Sequence, residues 1–394
     1  MLFRSSTAGV DIDRDGKTVW IIDRCGANSC YDATTGKMSD ADPILHFDEN
    51  GRLLGFRVPA QGLQAVRDDM AAVSTRRMTM SRPNDADVRF DANGFSLAGT
   101  ISRPEGRPEP LPAVILVSGP GLTDRDETIG GIPVFGQLAH ALADAGFAVL
   151  RFDRRGVGQS GGRTESATLD DYAEDVRAAV RMMRDRKDID RRRIALVGLG
   201  QGGALAMIAA SKEKQRIGAL VLLGALGTSG ADLNLYQLRH GLERSNRSAQ
   251  ERESTMALQQ AIQQAVVTGK GWDAITVDEA VRRQADTPYF QSFLTYDPAR
   301  VMNNVEQPIL ILHGALDRQV PPDHADRLEA LAKQRKKAPG VESVKVPGVN
   351  HLLVPARTGE VDEYARLGEG DATVSPEVTR AVEAWLKKAL RQGR

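Results

Sequence analysis

Two cysteines in 394 residues, no surplus charge of either sign and few aromatic residues are what this chain lacks, and each shortage closes off a class of function. Lys plus Arg and Asp plus Glu number 52 each, for a formal net charge of +0. With no long basic run, nucleic-acid binding is not suggested. No apolar stretch approaches the ~20 residues of a membrane span, and Met1–Ala8 lacks an apolar core of secretory length, so the chain as written reads as cytoplasmic. The cysteines form a single pair, Cys25-Gly-Ala-Asn-Ser-Cys30, with no histidine nearer than His46, so no zinc or other metal site is expected. Their loop-like spacing leaves open a small disulfide, which would imply export from a precursor whose signal is missing here.

What is present falls into two styles. Residues 1–83 read as a small β-rich module, with strands expected at Thr18–Ile22, Ile44–Phe47 and Arg52–Arg57 and a hairpin signal in Asp48-Glu-Asn-Gly51. Asp11-Ile-Asp13-Arg-Asp15-Gly16 begins like a calcium loop, but its twelfth position is Ile22 rather than glutamate, so it reads as a turn. Ser81–Ala86 reads as a linker. From there strands and helices alternate: Asp87–Phe90, Phe95–Ile101, Ala113–Val117, Phe147–Phe152, Ile194–Val197 and Leu220–Leu223 are expected strands. Leu169, Tyr172, Val176, Val180 and Met183 recur at helical spacing and predict a core-facing helix. Such alternation argues a mostly parallel sheet with helices on both faces.

Ile194-Ala-Leu-Val-Gly198-Leu199-Gly200-Gln201-Gly202-Gly203 is a strand, a sharp turn and a helix start. Gly198-x-Gly200-x-x-Gly203 fits the dinucleotide fingerprint, but that reading needs an acid about 20 residues on, and the next strand, Ala219–Gly224, runs into Ala225-Leu226-Gly227 without one. The alternative is a nucleophile elbow, Gly-x-Ser-x-Gly, with Gly200 where the serine belongs. An acid and then a histidine follow in the order such an elbow requires: Asp317 after the strand Pro308–His313, and His351 after Glu342–Pro347. Gly158-Gln159-Ser160-Gly161-Gly162 also satisfies the elbow formula, but it follows a strand one unit too early and reads as structural.

With these residues in order, the chain resembles the α/β-hydrolase family, in particular bacterial esterases and acyl hydrolases of the serine-hydrolase type, from about Asp87 to the C-terminus. Ser118-Gly119-Pro120-Gly121, continuing to Asp126, is similar to the family's oxyanion loop, and Phe152–Gly161 to its Asp-x-Arg-Gly-x-Gly-x-Ser turn. Pro288–Pro298 and Tyr364–Trp385 also fit. The resemblance implies an α/β-hydrolase core in two parts, residues 84–228 and 307–394, with a helical lid over 229–306. It implies triad positions at Gly200, Asp317 and His351, and oxyanion donors from the Gln201 N–H and from the Pro120–Gly121 stretch. Pro120 has no N–H to give, so Gly121 is the alternative. Ser118 and Leu199 are expected to border a small acyl or ester ligand. No cofactor is implied, and nothing in the sequence sets an oligomeric state.

The departure from the resemblance decides the activity. Gly200 supplies no hydroxyl, and losing the nucleophile alone costs on the order of a million-fold in turnover, so ester hydrolysis should be weak or absent. Whether this is an enzyme is left open. The plainest reading makes Gly200 a turn glycine in a protein without acyl chemistry; others are a ligand-binding pseudoenzyme and a cofactor-free enzyme in which the Asp317/His351 dyad activates water. Ser118 or Thr123 serving as a makeshift nucleophile is the least favoured. In the lid, Leu233, Leu235, Leu238, Met256, Leu258, Ile262 and Val266 either face the site or pack on the sheet, and Trp272, Tyr289 and Phe290 are expected near its mouth.

Overall fold

The computed structural model describes residues 80–391 except 108–109, 122, 338–339 and 371, together with the backbone of six short strands earlier in the chain. Two units emerge, Met1–Arg77 and Met78–Arg394. The first contributes β1 (Phe3–Arg4), β2 (Ala8–Ile12), β3 (Val19–Asp23), β4 (Ile44–Phe47), β5 (Leu53–Val58) and β6 (Leu63–Val66), paired as two three-stranded antiparallel sheets. The side chains of Asp11–Ile22 and of the pair Cys25 and Cys30 lie outside the described residues.

The second unit is built on an eight-stranded sheet. Its opening pair is β7 (Asp85–Ala92) and β8 (Phe95–Ser102), followed by β9 (Leu111–Val117), a short hairpin of β10 (Thr128–Ile129) and β11 (Ile132–Pro133), helix α1 (Val134–Asp144), β12 (Ala148–Phe152) and α2 (Leu169–Asp185). Then come β13 (Ile189–Leu199), α3 (Gln201–Lys212) and β14 (Ala219–Leu223), four helices α4 (Gly230–Glu243), α5 (Ala249–Thr268), α6 (Glu279–Ala285) and α7 (Pro288–Leu294), and α8 (Pro298–Met302). The chain closes with β15 (Ile309–Gly314), α9 (Asp323–Lys333), β16 (Val341–Val346), α10 (Tyr364–Glu369) and α11 (Pro376–Ala389). The sheet order is β16-β15-β14-β13-β9-β12-β8-β7; the six strands from β16 to β12 run parallel, and β8 and β7 are added antiparallel.

Side-chain alternation along the central strands sends residues into two separate cores, as the period of two requires. On β9, Ala113, Ile115 and Val117 pack with α2 and α3, whereas Val114 and Leu116 pack with α1 and α11. The helix expected from Leu169 to Met183 is α2, opened by a capping box in which Thr168 and Asp171 bond reciprocally. A third cluster lies within the helices between β14 and β15: Ile262 and Val266 pack with Trp272 and Leu294, and Leu258 is exposed. Those residues of α5 therefore close on their own helical layer. Trp272 is buried there with the Arg282 guanidinium over its ring.

Candidate functional site

At the C-terminal edge of the parallel strands, β13 turns into α3 through Gly200, whose φ of 55° and ψ of −119° are accessible to glycine and strained for any residue with a Cβ. The turn is tight because the first turn of α3 is butted against β9: a Cβ at Gly202 would lie 1.9 Å from the carbonyl oxygen of Val117. Gly198 and Gly203 face Gly202 and Ala225 at similarly close range. Two glycines of the fingerprint, Gly198 and Gly203, thus pack against the protein's own atoms, and the third, Gly200, faces the His351 ring, which speaks against the dinucleotide reading.

Two other loops bring the acid and the histidine to the same spot. Asp317 follows β15, where its Oδ1 accepts from the backbone N–H groups of Gln319 and Val320 at 2.9 and 2.8 Å. Its Oδ2 lies 2.7 Å from His351 Nδ1 and 3.3 Å from His313 Nε2. Burial alone would raise the Asp317 carboxyl, but the His351 charge and the hydrogen bonds from His313 and His351 hold it at about 2. His351 rides a tight turn after β16: the Asn350 side chain accepts from the N–H groups of Leu352 and Val354, and Leu353 adopts φ 62°. Burial works against the imidazolium, yet Asp317, with a smaller contribution from Glu127, carries the His351 pKa above its ordinary 6.5.

A side chain at 200 would point at His351. A Cβ built on Gly200 falls 3.1 Å from His351 Nε2, and one built on Gly224, at the end of β14, falls 3.0 Å from Asp317 Oδ2. The dyad is packed between two glycines, its outer nitrogen facing the place where a nucleophile would stand. A serine at 200 would need the ring to give by a few tenths of an ångström.

Of the remaining candidates, Gln201 is the first residue of α3, and its side chain accepts a hydrogen bond from Tyr289 of α7 at 2.5 Å. Gly119 lies against it, with a would-be Cβ 3.0 Å from the Gln201 Cβ, so the loop carrying Ser118, Pro120 and Gly121 flanks the elbow. Arg154 pins that loop, donating to the carbonyl of Gly119 and, at 2.8 and 2.7 Å, to the carbonyl and hydroxyl of Thr123. The Thr123 hydroxyl is also spent on Glu127 at 2.9 Å. Leu199 is not brought to the site; its side chain packs in the layer of α1 and α11. Ser160 is structural, bridging the Asp153 carbonyl and the Ala98 N–H. Among the described residues no group of three His, Cys, Asp or Glu is arranged to hold a metal, and no helix is long and apolar enough to cross a membrane.

Sequence reading missed Glu127. The available signal was an acidic residue ending the charged run Asp124-Arg125-Asp126 on the loop between β9 and β10. The carboxyl is buried on a backbone of φ 49°, and burial raises its pKa against the pull of Arg154 and Thr123.

A profile of the family described as serine aminopeptidase, S33, matches residues 130–353. The chain is 28% identical over 297 residues to esterase EstD of Thermotoga maritima, covering 74% of this chain and 66% of that protein. It is 24% identical over 225 residues to the uncharacterised protein YfhR of Escherichia coli (strain K12), covering 57% and 60%. The chain thus spans less than two thirds of the length of these relatives. Among solved structures, the 2,6-dihydroxy-pseudo-oxynicotine hydrolase aligns with TM-score 0.50 at 20% identity, over 79% of this chain and 70% of that one. The α/β hydrolase GrgF from Penicillium sp. sh18 aligns with TM-score 0.50 at 20% identity, over 78% and 99%. These two share its fold.

Proposed function

The chain belongs to the α/β-hydrolase family described as serine aminopeptidase, S33, and on that premise we propose that it is a carboxylic-ester hydrolase scaffold that receives acyl or ester ligands but forms no acyl-enzyme. One observation carries the reading: the backbone of Gly200 has the strained geometry of a nucleophile elbow and aims its absent side chain at His351 Nε2, while His351 Nδ1 is bonded to Asp317. Every part of a triad is there except the attacking oxygen. The likeness to esterase EstD supports esters as the ligand class.

The intact dyad favours a second, slower chemistry. A water seated beside Gly200 gives a proton to His351 Nε2 as its oxygen attacks the ester carbonyl; the oxyanion is met by the Gln201 N–H, and the imidazolium returns the proton to the departing alkoxide. Asp317 keeps the ring oriented throughout. General-base assistance of this kind contributes about 10²–10⁴-fold, far below what an activated serine supplies.

Hydrolysis of a panel of short-chain p-nitrophenyl esters by the native chain, Gly200→Ser and Gly200→Ser/His351→Ala tests the proposal. Turnover is expected at or near background in the native chain, to rise in Gly200→Ser, and to fall back in the double variant. A native rate comparable to that of Gly200→Ser overturns it. A slow native rate that vanishes in His351→Ala assigns the residue of activity to dyad-activated water.

A further inference from the structure

Asp317 can orient His351 only if its carboxylate is itself held, and most of its polar contacts move with loops. The N–H groups of Gln319 and Val320 that meet Oδ1 belong to the same loop as Asp317, and His351 stands on the loop after β16. Among the described residues, the polar contact from the sheet is His313, in β15, whose Nε2 lies 3.3 Å from Asp317 Oδ2. The same nitrogen is 2.8 Å from the carbonyl oxygen of Val320, whose own N–H binds Asp317 Oδ1. With two acceptors facing it, Nε2 carries the proton and shares it in a three-centre bond.

The His313 ring is fully buried, and its other nitrogen, Nδ1, is buried with no hydrogen-bond partner among the described residues. An orphaned buried nitrogen costs stability, and an apolar side chain continuing the run Ile309-Leu-Ile-Leu312 would avoid that cost. What a histidine offers there, and an apolar residue does not, is the Nε2 proton. We propose that His313 is a positioning residue of the site: its Nε2–H, shared between the Val320 carbonyl and Asp317 Oδ2, anchors the carboxylate to the sheet in the orientation that presents Oδ2 to His351 Nδ1. This rests on Asp317 and His351 acting as the dyad. The hydrogen bond from His313 is also among the interactions that keep the Asp317 carboxyl ionised.

Histidine rings are labelled with ¹⁵N in the full chain and read by two-bond ¹H–¹⁵N correlation, which shows which ring nitrogen carries the proton. His351 is assigned by the signal lost in His351→Ala, and His313 by the one lost in His313→Gln or by elimination through single variants of the other histidines. The native chain is expected to hold the His313 proton on Nε2, and Asp317→Asn to move that proton's resonance, because one of its two acceptors loses its charge. The His351 Nδ1–H resonance, displaced downfield by its bond to Asp317, should weaken or move upfield in His313→Phe, which keeps a ring without a donor, and return in His313→Gln, whose amide restores an N–H. In the Gly200→Ser background, kcat should fall about 10-fold or more in His313→Phe with KM little changed, and recover in His313→Gln. A His313 proton on Nδ1, a His313 Nε2–H resonance indifferent to Asp317→Asn, or a His351 signal unchanged in folded His313→Phe overturns the proposal and leaves His313 as packing at the end of β15. The resonances need no turnover, so an inactive Gly200→Ser counts against the esterase reading while the spectra still decide the role of His313.

Discussion

Position 200 combines two opposed effects in one residue. Glycine relieves a conformation that costs a residue with a Cβ about 1–3 kcal/mol, and it supplies no hydroxyl at the place that faces His351 Nε2. Gly200→Ser and Gly200→Ala should therefore both lose about that much stability in urea unfolding, while only the serine gains esterase activity; equal stability in all three chains would contradict the strain at this turn. The pH dependence of Gly200→Ser follows from His351, which must be neutral to accept a proton. Because the Asp317 and Glu127 charges raise its pKa above 6.5, activity should be full at alkaline pH and fall as pH drops through that raised value. A rate still maximal well below pH 6.5 would contradict the assignment. The candidate dyad at Asp317 and His351 was legible because order and post-strand placement survive in sequence. Glu127 was not, since burial and a positive φ are properties of the folded loop and leave no mark in composition.

The central strands of the main sheet were readable for a simple reason: they are largely apolar runs bounded by turn residues, and the structure moves their ends by only a few residues. The helices between β14 and β15 were harder, because helical periodicity shows that a face is apolar without showing what covers it. Ile262 and Val266 close against Trp272 in their own layer, and the link from that layer to the elbow is Tyr289, whose hydroxyl donates to Gln201. Tyr289→Phe should leave the fold intact and raise hydrogen exchange in α7; exchange unchanged from native would show that the bond does not hold the helix down. The loop after His351 depends on Glu363, whose carboxylate accepts from the N–H groups of Arg357, Thr358 and Gly359 and from the Thr358 hydroxyl. Burial opposes its charge, but those hydrogen bonds bring its pKa from 4.5 to about 2. A lowered folded pKa means stability that is present above 4.5 and lost as pH falls toward 2. Glu363→Gln should lower the melting temperature at pH 6 and flatten its decline between pH 4.5 and 2; a decline as steep as native would refute the linkage.

Across the whole second unit, a buried ionic seam ties the antiparallel edge of the sheet to the loop at the site. Arg125 and Arg151 are almost fully buried; Arg125 bonds Asp153, Thr100 and Gln159, and Arg151 bonds Asp126, Asp85 and the carbonyl of Met80. Sequence reading passed over both buried arginines: Arg151 because a charged residue in a strand reads as solvent-facing unless its partners are known, and Arg125 because the burial of a loop residue is a property of the fold. Removing one side of such a pair strands the other, so Arg125→Ala should cost about 3–5 kcal/mol in urea unfolding; a cost under about 1 kcal/mol would mean that the seam contributes little. The proposal that this scaffold lacks only its nucleophile is read most directly by the intact mass of the whole chain after incubation with a fluorophosphonate. The native chain should stay unmodified, and Gly200→Ser should take up a single adduct at residue 200 that His351→Ala abolishes. An adduct on the native chain, at Ser118 or any other residue, or a folded Gly200→Ser that takes up none, would contradict the claim that only the hydroxyl is missing.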